Sequence, residues 1–138
     1  MRHPWLGASA LLLLLPLGAT SAEPVVVTPL MATAVTVSGQ PIVLPQKDVH
    51  LAVSTYDIAA GARLPEHRHP FARYAYVLAG TLEVTNVETG RSETFKAGDF
   101  IVEAIGQWHK AVNLGTDAVR LLVIDQTEGA QGNTVLRP

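Results

Sequence analysis

The chain has 138 residues, with ten Lys and Arg against twelve Asp and Glu, a formal net charge of −2 with histidine neutral. That length fits one domain and leaves no room for a second, and the acidic balance argues against a basic nucleic-acid surface. Cysteine is absent, which excludes disulfides, thiol nucleophiles, cysteine-ligated zinc and a lipidated cysteine, so any metal is held by nitrogen and oxygen.

Taken from the N-terminus, Met1 to Trp5 is a short head with one basic residue, and Leu6 to Leu17 is an apolar run of 12 residues. Thr20-Ser21-Ala22 supplies small residues for a cut before Glu23. This is the layout of a cleavable secretory signal. The apolar run falls short of the roughly 18 to 20 residues that span a bilayer, so the expectation is a secreted or periplasmic protein with no membrane attachment after cleavage. Loss of residues 1–22 leaves 116 residues with nine basic and twelve acidic side chains, a net charge of −3.

Residues 23–47 read as an extension in which Val35-Thr36-Val37 and Ile42-Val43-Leu44 offer edge strands. From Val49 to Asp57 the pattern alternates, and Val49, Leu51 and Val53 are expected on the buried face, with His50 on the other. Further β-rich runs follow at Tyr74–Leu78, Thr81–Val87, Ser92–Phe95, Phe100–Glu103 and Val119–Asp125. Turn chemistry closes them at Ala60-Gly61, Ala79-Gly80, Glu88-Thr89-Gly90, Ala97-Gly98-Asp99 and Leu114-Gly115-Thr116-Asp117. Short strands about ten residues apart, with no amphipathic helix after the leader, predict an all-β sandwich or barrel over 48–125. The polar residues 126–138 are expected to form a loosely held tail.

Three histidines stand out. His67 and His69 are at i and i+2, so an extended segment points both to one side, where they can share a metal ion. His109 follows 40 residues later, beyond further strands. Around them the spacing is Gly61, five residues, His67, one, His69, three, Arg73, six, Gly80; then Gly98, five, Ala104, one, Gly106, two, His109, three, Asn113. These two segments resemble the paired motifs of the cupin superfamily, and Tyr76-Val77-Leu78-Ala79-Gly80 and Lys96-Ala97-Gly98-Asp99 fit the strand and turn that flank the gap between them.

The resemblance implies a single jelly-roll β-barrel with a metal site built by His67, His69, His109 and a glutamate. Arg73 stands where the family has that glutamate, and Ala104 where it has proline. A guanidinium has no lone pair for a metal and stays protonated. Three readings of Arg73 are open. It receives an anionic substrate group bidentately beside a three-histidine metal. Glu103, the one acid of an apolar strand and turned inward with Ile101 by alternation, pairs with Arg73 or becomes the missing oxygen ligand. Or Arg73 faces solvent and the histidines are a remnant of the fold.

Gln107 has the chemistry to bond a metal-bound water, Glu66 is expected to face outward, and Trp108 should point away from His109. Asn113 reads as a turn residue, and the aromatics as core. A metal held by three imidazoles keeps open positions, as catalytic sites do, and the set suits Fe, Mn, Ni, Cu or Zn without choosing among them. The function expected is a metal-dependent oxygenase of quercetinase-like or diketone-cleaving type, or a related lyase or isomerase, on a small oxygenated or anionic compound. The alternative is a non-catalytic module that captures a small molecule or metal. The resemblance also implies a homodimer.

Overall fold

A computed structural model describes residues 25–138; the expected signal peptide, 1–22, lies outside the described residues. Nine strands follow in chain order: β1 Val49–Ile58, β2 Arg63–Arg68, β3 Arg73–Ala79, β4 Thr81–Asn86, β5 Ser92–Lys96, β6 Phe100–Val102, β7 His109–Asn113, β8 Val119–Glu128 and β9 Val135–Leu136. They form two antiparallel sheets, ordered β1-β8-β3-β6 and β5-β4-β7-β2-β9. The described residues contain no helix, so the all-β jelly roll expected from the sequence is the architecture found.

Between the sheets lies one apolar core, in which Val77 and Val119 are wholly buried and Ala75, Leu82, Ile101, Leu121 and Val123 nearly so. Each buried valine or leucine contributes about 1.5–3 kcal/mol relative to exposure. Ile101 and Glu103 do turn inward together, since Ile101 pairs with Ala75 of the core face.

Three expectations are corrected. Val49, Leu51 and Val53 are 58–60% exposed, not buried. Period-two alternation separates two faces without saying which one meets the core; β1 is an edge strand, and its buried end is Tyr56 and Ile58, on the opposite face. Val35 makes only an isolated bridge to Pro41, and Ile42–Leu44 form no strand. Gln40 ties this segment to the barrel by bonding both the N–H and the carbonyl of Ile105. Last, the C-terminal residues are not loosely held: β8 continues to Glu128, and β9 pairs with β2 at His67↔Leu136 and Arg68↔Val135.

Turn residues hold the barrel's ends. Gly80 has φ +79°, and a Cβ there would lie 2.9 Å from the Ala118 carbonyl and the Val119 backbone, which leaves glycine as the residue that fits. Asn113 is fully buried; its Nδ2 donates to the carbonyls of Ile58, Ala59 and Asp117, and its Oδ1 accepts from Gly115 N–H. Asn113→Ala orphans these groups and is expected to cost about 2–3 kcal/mol, a fall of roughly 10 °C in Tm by calorimetry. A shift within about 2 °C would show that water replaces the side chain without loss.

Candidate metal centre

Strands β2 and β7 carry the site. Their pairing sets His67 opposite His109, with ring centroids 4.4 Å apart, and His69 follows just past β2, bridged to Ile105. All three histidines are at most 5% exposed. Neither strand stood out in the hydropathy pattern, because Arg63–Arg68 contains a proline and four ionisable residues and β7 begins with His109-Lys110. The signal that locates them is the histidine spacing itself.

Each imidazole is oriented through its Nδ1. That of His67 lies 2.7 Å from the Pro65 carbonyl, that of His69 2.5 Å from the Asn133 carbonyl, and that of His109 3.0 Å from the Gln107 carbonyl. A carbonyl can only accept, so each Nδ1 carries a proton, and a ring that is neutral presents its Nε2 lone pair. His69 Nε2 and His109 Nε2 are 3.2 Å apart, and Glu103 Oε2 is 2.9 Å from the first and 3.0 Å from the second. Ligand atoms of His67, His69, Glu103 and His109 all lie within 4.8 Å of one another, a cluster that could hold a metal ion. Facing lone pairs repel unless a proton or a metal sits among them, so three imidazoles and a carboxylate are a donor set that fits a divalent first-row ion.

Arg73 is 5% exposed, which overturns the solvent-facing reading. It pairs not with Glu103 but with Asp125, its cross-strand partner on β8: Nε donates to Oδ1 and Nη2 to Oδ2, both at 2.8 Å. Nη2 also donates to Thr134 Oγ1 at 3.0 Å. The guanidinium fork is thereby occupied, and only Nη1, 3.5 Å from His69 Nε2, faces the cluster. Asp125 pairs with the arginine, and the carboxylate within the cluster is that of Glu103. Sequence reasoning passed over Asp125, although it shares the inward face of β8 with Val119, Leu121 and Val123.

Other candidates lie apart. Gln107 reaches the site by its backbone carbonyl only; its Oε1 accepts from Asn86 Nδ2. Glu66 binds Arg137 at 2.7 Å, and Trp108 stacks on Arg68 and Arg137 outside the barrel. Tyr56 lines the cavity over the cluster, with Leu64, Leu82 and Leu121.

Burial, with the neighbouring imidazoles, holds the His67 pKa down at about 4 against the usual 6.5. Burial also works against a charged His109, but the hydrogen bond and charge of Glu103 outweigh it and raise that pKa. For Glu103 burial opposes ionisation, yet the bonds to His109 and His69 hold it well below the carboxylate range. Below its unfolded value of 6.5, His67 takes up a proton on unfolding that the fold refuses until about 4, so its effect is a loss of stability as pH falls through that window. His109 works oppositely, stabilising below 6.5 and losing that contribution as pH rises through its raised folded value. Metal-free protein is therefore expected to melt progressively lower between about pH 6.5 and 4. Calorimetry in chelator checks this, and His67→Gln should flatten the slope; an unchanged slope would assign the dependence elsewhere.

The sequence pattern described as "Cupin domain" matches residues 54–125, more than half of the chain. The chain belongs to the cupin family. No match is found among the curated proteins. Among solved structures, a conserved double-stranded β-helix protein of Klebsiella pneumoniae is 21% identical over 81% of this chain and 96% of its own, with TM-score 0.53. An oxalate decarboxylase of B. subtilis, solved as a single-site variant, is 27% identical over 63% of this chain and 24% of its own, with TM-score 0.54. An oxalate oxidase is 25% identical over 62% and 45%, with TM-score 0.53. The polyketide cyclase RemF of Streptomyces resistomycificus is 23% identical over 64% and 62%, with TM-score 0.54. The cupin thus spans less than two thirds of the cyclase, the oxidase and the decarboxylase.

Proposed function

We propose that this cupin binds one divalent metal through His67, His69, His109 and Glu103 and acts on a small carboxylate or similarly oxygenated anion in an oxygen-dependent or decarboxylating reaction. The carrying observation is the common orientation of the imidazoles, each donating Nδ1–H to a backbone carbonyl so that the Nε2 atoms converge with Glu103 Oε2. A bound first-row metal supplies Lewis acidity and, for redox-active ions, electron transfer. The chain's own residues do the rest. Arg73, clamped by Asp125, presents Nη1 as the cationic donor for an anionic oxygen. Leu64, Leu82 and Leu121 give the cavity apolar walls. The cavity holds about 20 Å³, space for about one water, which disfavours a flavonol or diketone; the small-acid class rests on Arg73 and the donor set. The oxalate chemistry named for two of the similar structures accords with that class.

The same four-donor set in so tight a cavity also suits the second reading, a cupin module that captures metal or a small ligand without turnover. Metal content by mass spectrometry, before and after reconstitution with Mn²⁺, Fe²⁺, Cu²⁺ or Zn²⁺, is the first test. Stoichiometric metal lost in His67→Ala and His109→Ala is expected; substoichiometric metal unaffected by either substitution would end the metal site and the enzyme reading with it, leaving only capture of a small ligand. Oxygen uptake or CO₂ release from small mono- and dicarboxylates then separates enzyme from module.

A further inference from the structure

We infer that the C-terminal strap, Gly129–Pro138, is a positioning element of the metal centre, so that its docking and metal occupancy are coupled. The inference rests on the metal reading above and adds to it a part of the chain that carries no ligand.

The strap reaches the centre at two successive residues. Asn133, 4% exposed, accepts the His69 Nδ1–H with its carbonyl. Its side chain closes both ends of the contact: Oδ1 accepts from Phe71 N–H, and Nδ2 donates to the Phe71 carbonyl and to Asp125 Oδ1. Thr134 Oγ1 then accepts from Arg73 Nη2. Beyond them β9 pairs with β2 at His67, and Arg137 fastens the end through Glu66, both backbone and side chain. One short segment therefore sets the tautomer of His69, shares Asp125 with Arg73, and covers the strand edge that carries His67.

With the strap lifted, His69 loses the acceptor that fixes its proton on Nδ1 and the cover that keeps it wholly buried, and its Nε2 is no longer held toward the other ligands. A metal that needs that Nε2 binds the strapped form better, and by linkage it must hold the strap down in return.

The test uses the full-length protein with Zn²⁺ as the probe. Hydrogen exchange of peptides covering the strap is expected to slow when Zn²⁺ binds, more than exchange of peptides from β5, which lies far across the sheet. Asn133→Ala is expected to weaken Zn²⁺ binding about 10- to 100-fold in chelator competition, and Arg137→Ala, exposed and outside the ligand set, to speed strap exchange and weaken binding about threefold. Asn133→Ala keeps the carbonyl that accepts from His69 but removes the side-chain bonds that hold it in place, so nitrogen NMR of the imidazoles should show the His69 Nδ1–H form depleted, a change that general destabilisation does not produce. Zn²⁺ bound with wild-type affinity by both variants, or strap exchange indifferent to bound Zn²⁺, would overturn the inference and leave the metal reading standing. Wild-type protein that takes up no Zn²⁺, Mn²⁺ or Fe²⁺ would overturn both.

Discussion

Glu103→Gln is expected to weaken divalent metal binding by about 100-fold or more while the barrel still folds. The carboxylate is the one anionic donor in the cluster, with Oε2 at 2.9 and 3.0 Å from two Nε2 atoms, and the amide keeps its shape without its charge. The same change removes the interaction that raises the His109 pKa. Burial and the charge of Arg73 are then opposed only by the backbone bond to Gln107, and His109 should titrate lower in the metal-free variant. Isothermal titration with Zn²⁺ or Mn²⁺ measures the first effect, and NMR titration of the imidazoles the second. Binding within about threefold of wild type would remove Glu103 from the ligand set, since loss of a supporting contact alone typically costs 10- to 100-fold.

Arg73→Met should destabilise the protein by about 3–5 kcal/mol, because it strands Asp125 as an uncompensated charge in the barrel wall. The Asp125 side chain is 14% exposed, and without Arg73 its remaining donor is Asn133 Nδ2. For a domain of this size that is a fall of roughly 15 °C in Tm. The double variant Arg73→Met with Asp125→Leu should recover most of the loss, since an apolar pair of similar volume often replaces a buried ion pair at little cost. A single variant within about 1 kcal/mol of wild type would mean that Asp125 finds water or a proton without difficulty. Arg73→Glu, which restores the residue the family resemblance leads one to expect, should fare worse than methionine. It sets two carboxylates face to face across β3 and β8 with Glu103 nearby.

The fold was legible where the physics is local. Alternation and turn residues located β1, β3, β4, β5, β6 and β8 to within a few residues, and the spacing of Gly61, His67, His69, Gly98 and His109 marked the two segments whose strands, β2 and β7, hydropathy hides. What stayed hidden depends on partners distant in sequence. Arg73 and Asp125 are 52 residues apart, and His69 and Asn133 are 64. An arginine in a ligand position reads as an exposed charge or a substrate clamp until the register of β3 against β8 supplies its acid. The face of β1 failed for a different reason. Val49, Leu51 and Val53 have the composition of a core row, and their exposure follows from the place of β1 at a sheet edge, which no local pattern encodes.

On the metal reading proposed above, residue order bears on when metal is acquired, because Asn133 and Thr134 follow all four donors along the chain. Synthesis delivers a chain from its N-terminus, so His67, His69, Glu103 and His109 all emerge before the residues that fix His69 and steady Arg73. A nascent chain has the ligands without the geometry. On that reading the ion would be taken up by the finished molecule, from the metals around it at that moment. For nitrogen-rich sites this favours copper or zinc wherever they are freely available. Loading with manganese or iron would depend on docking residues 129–138 where those ions dominate.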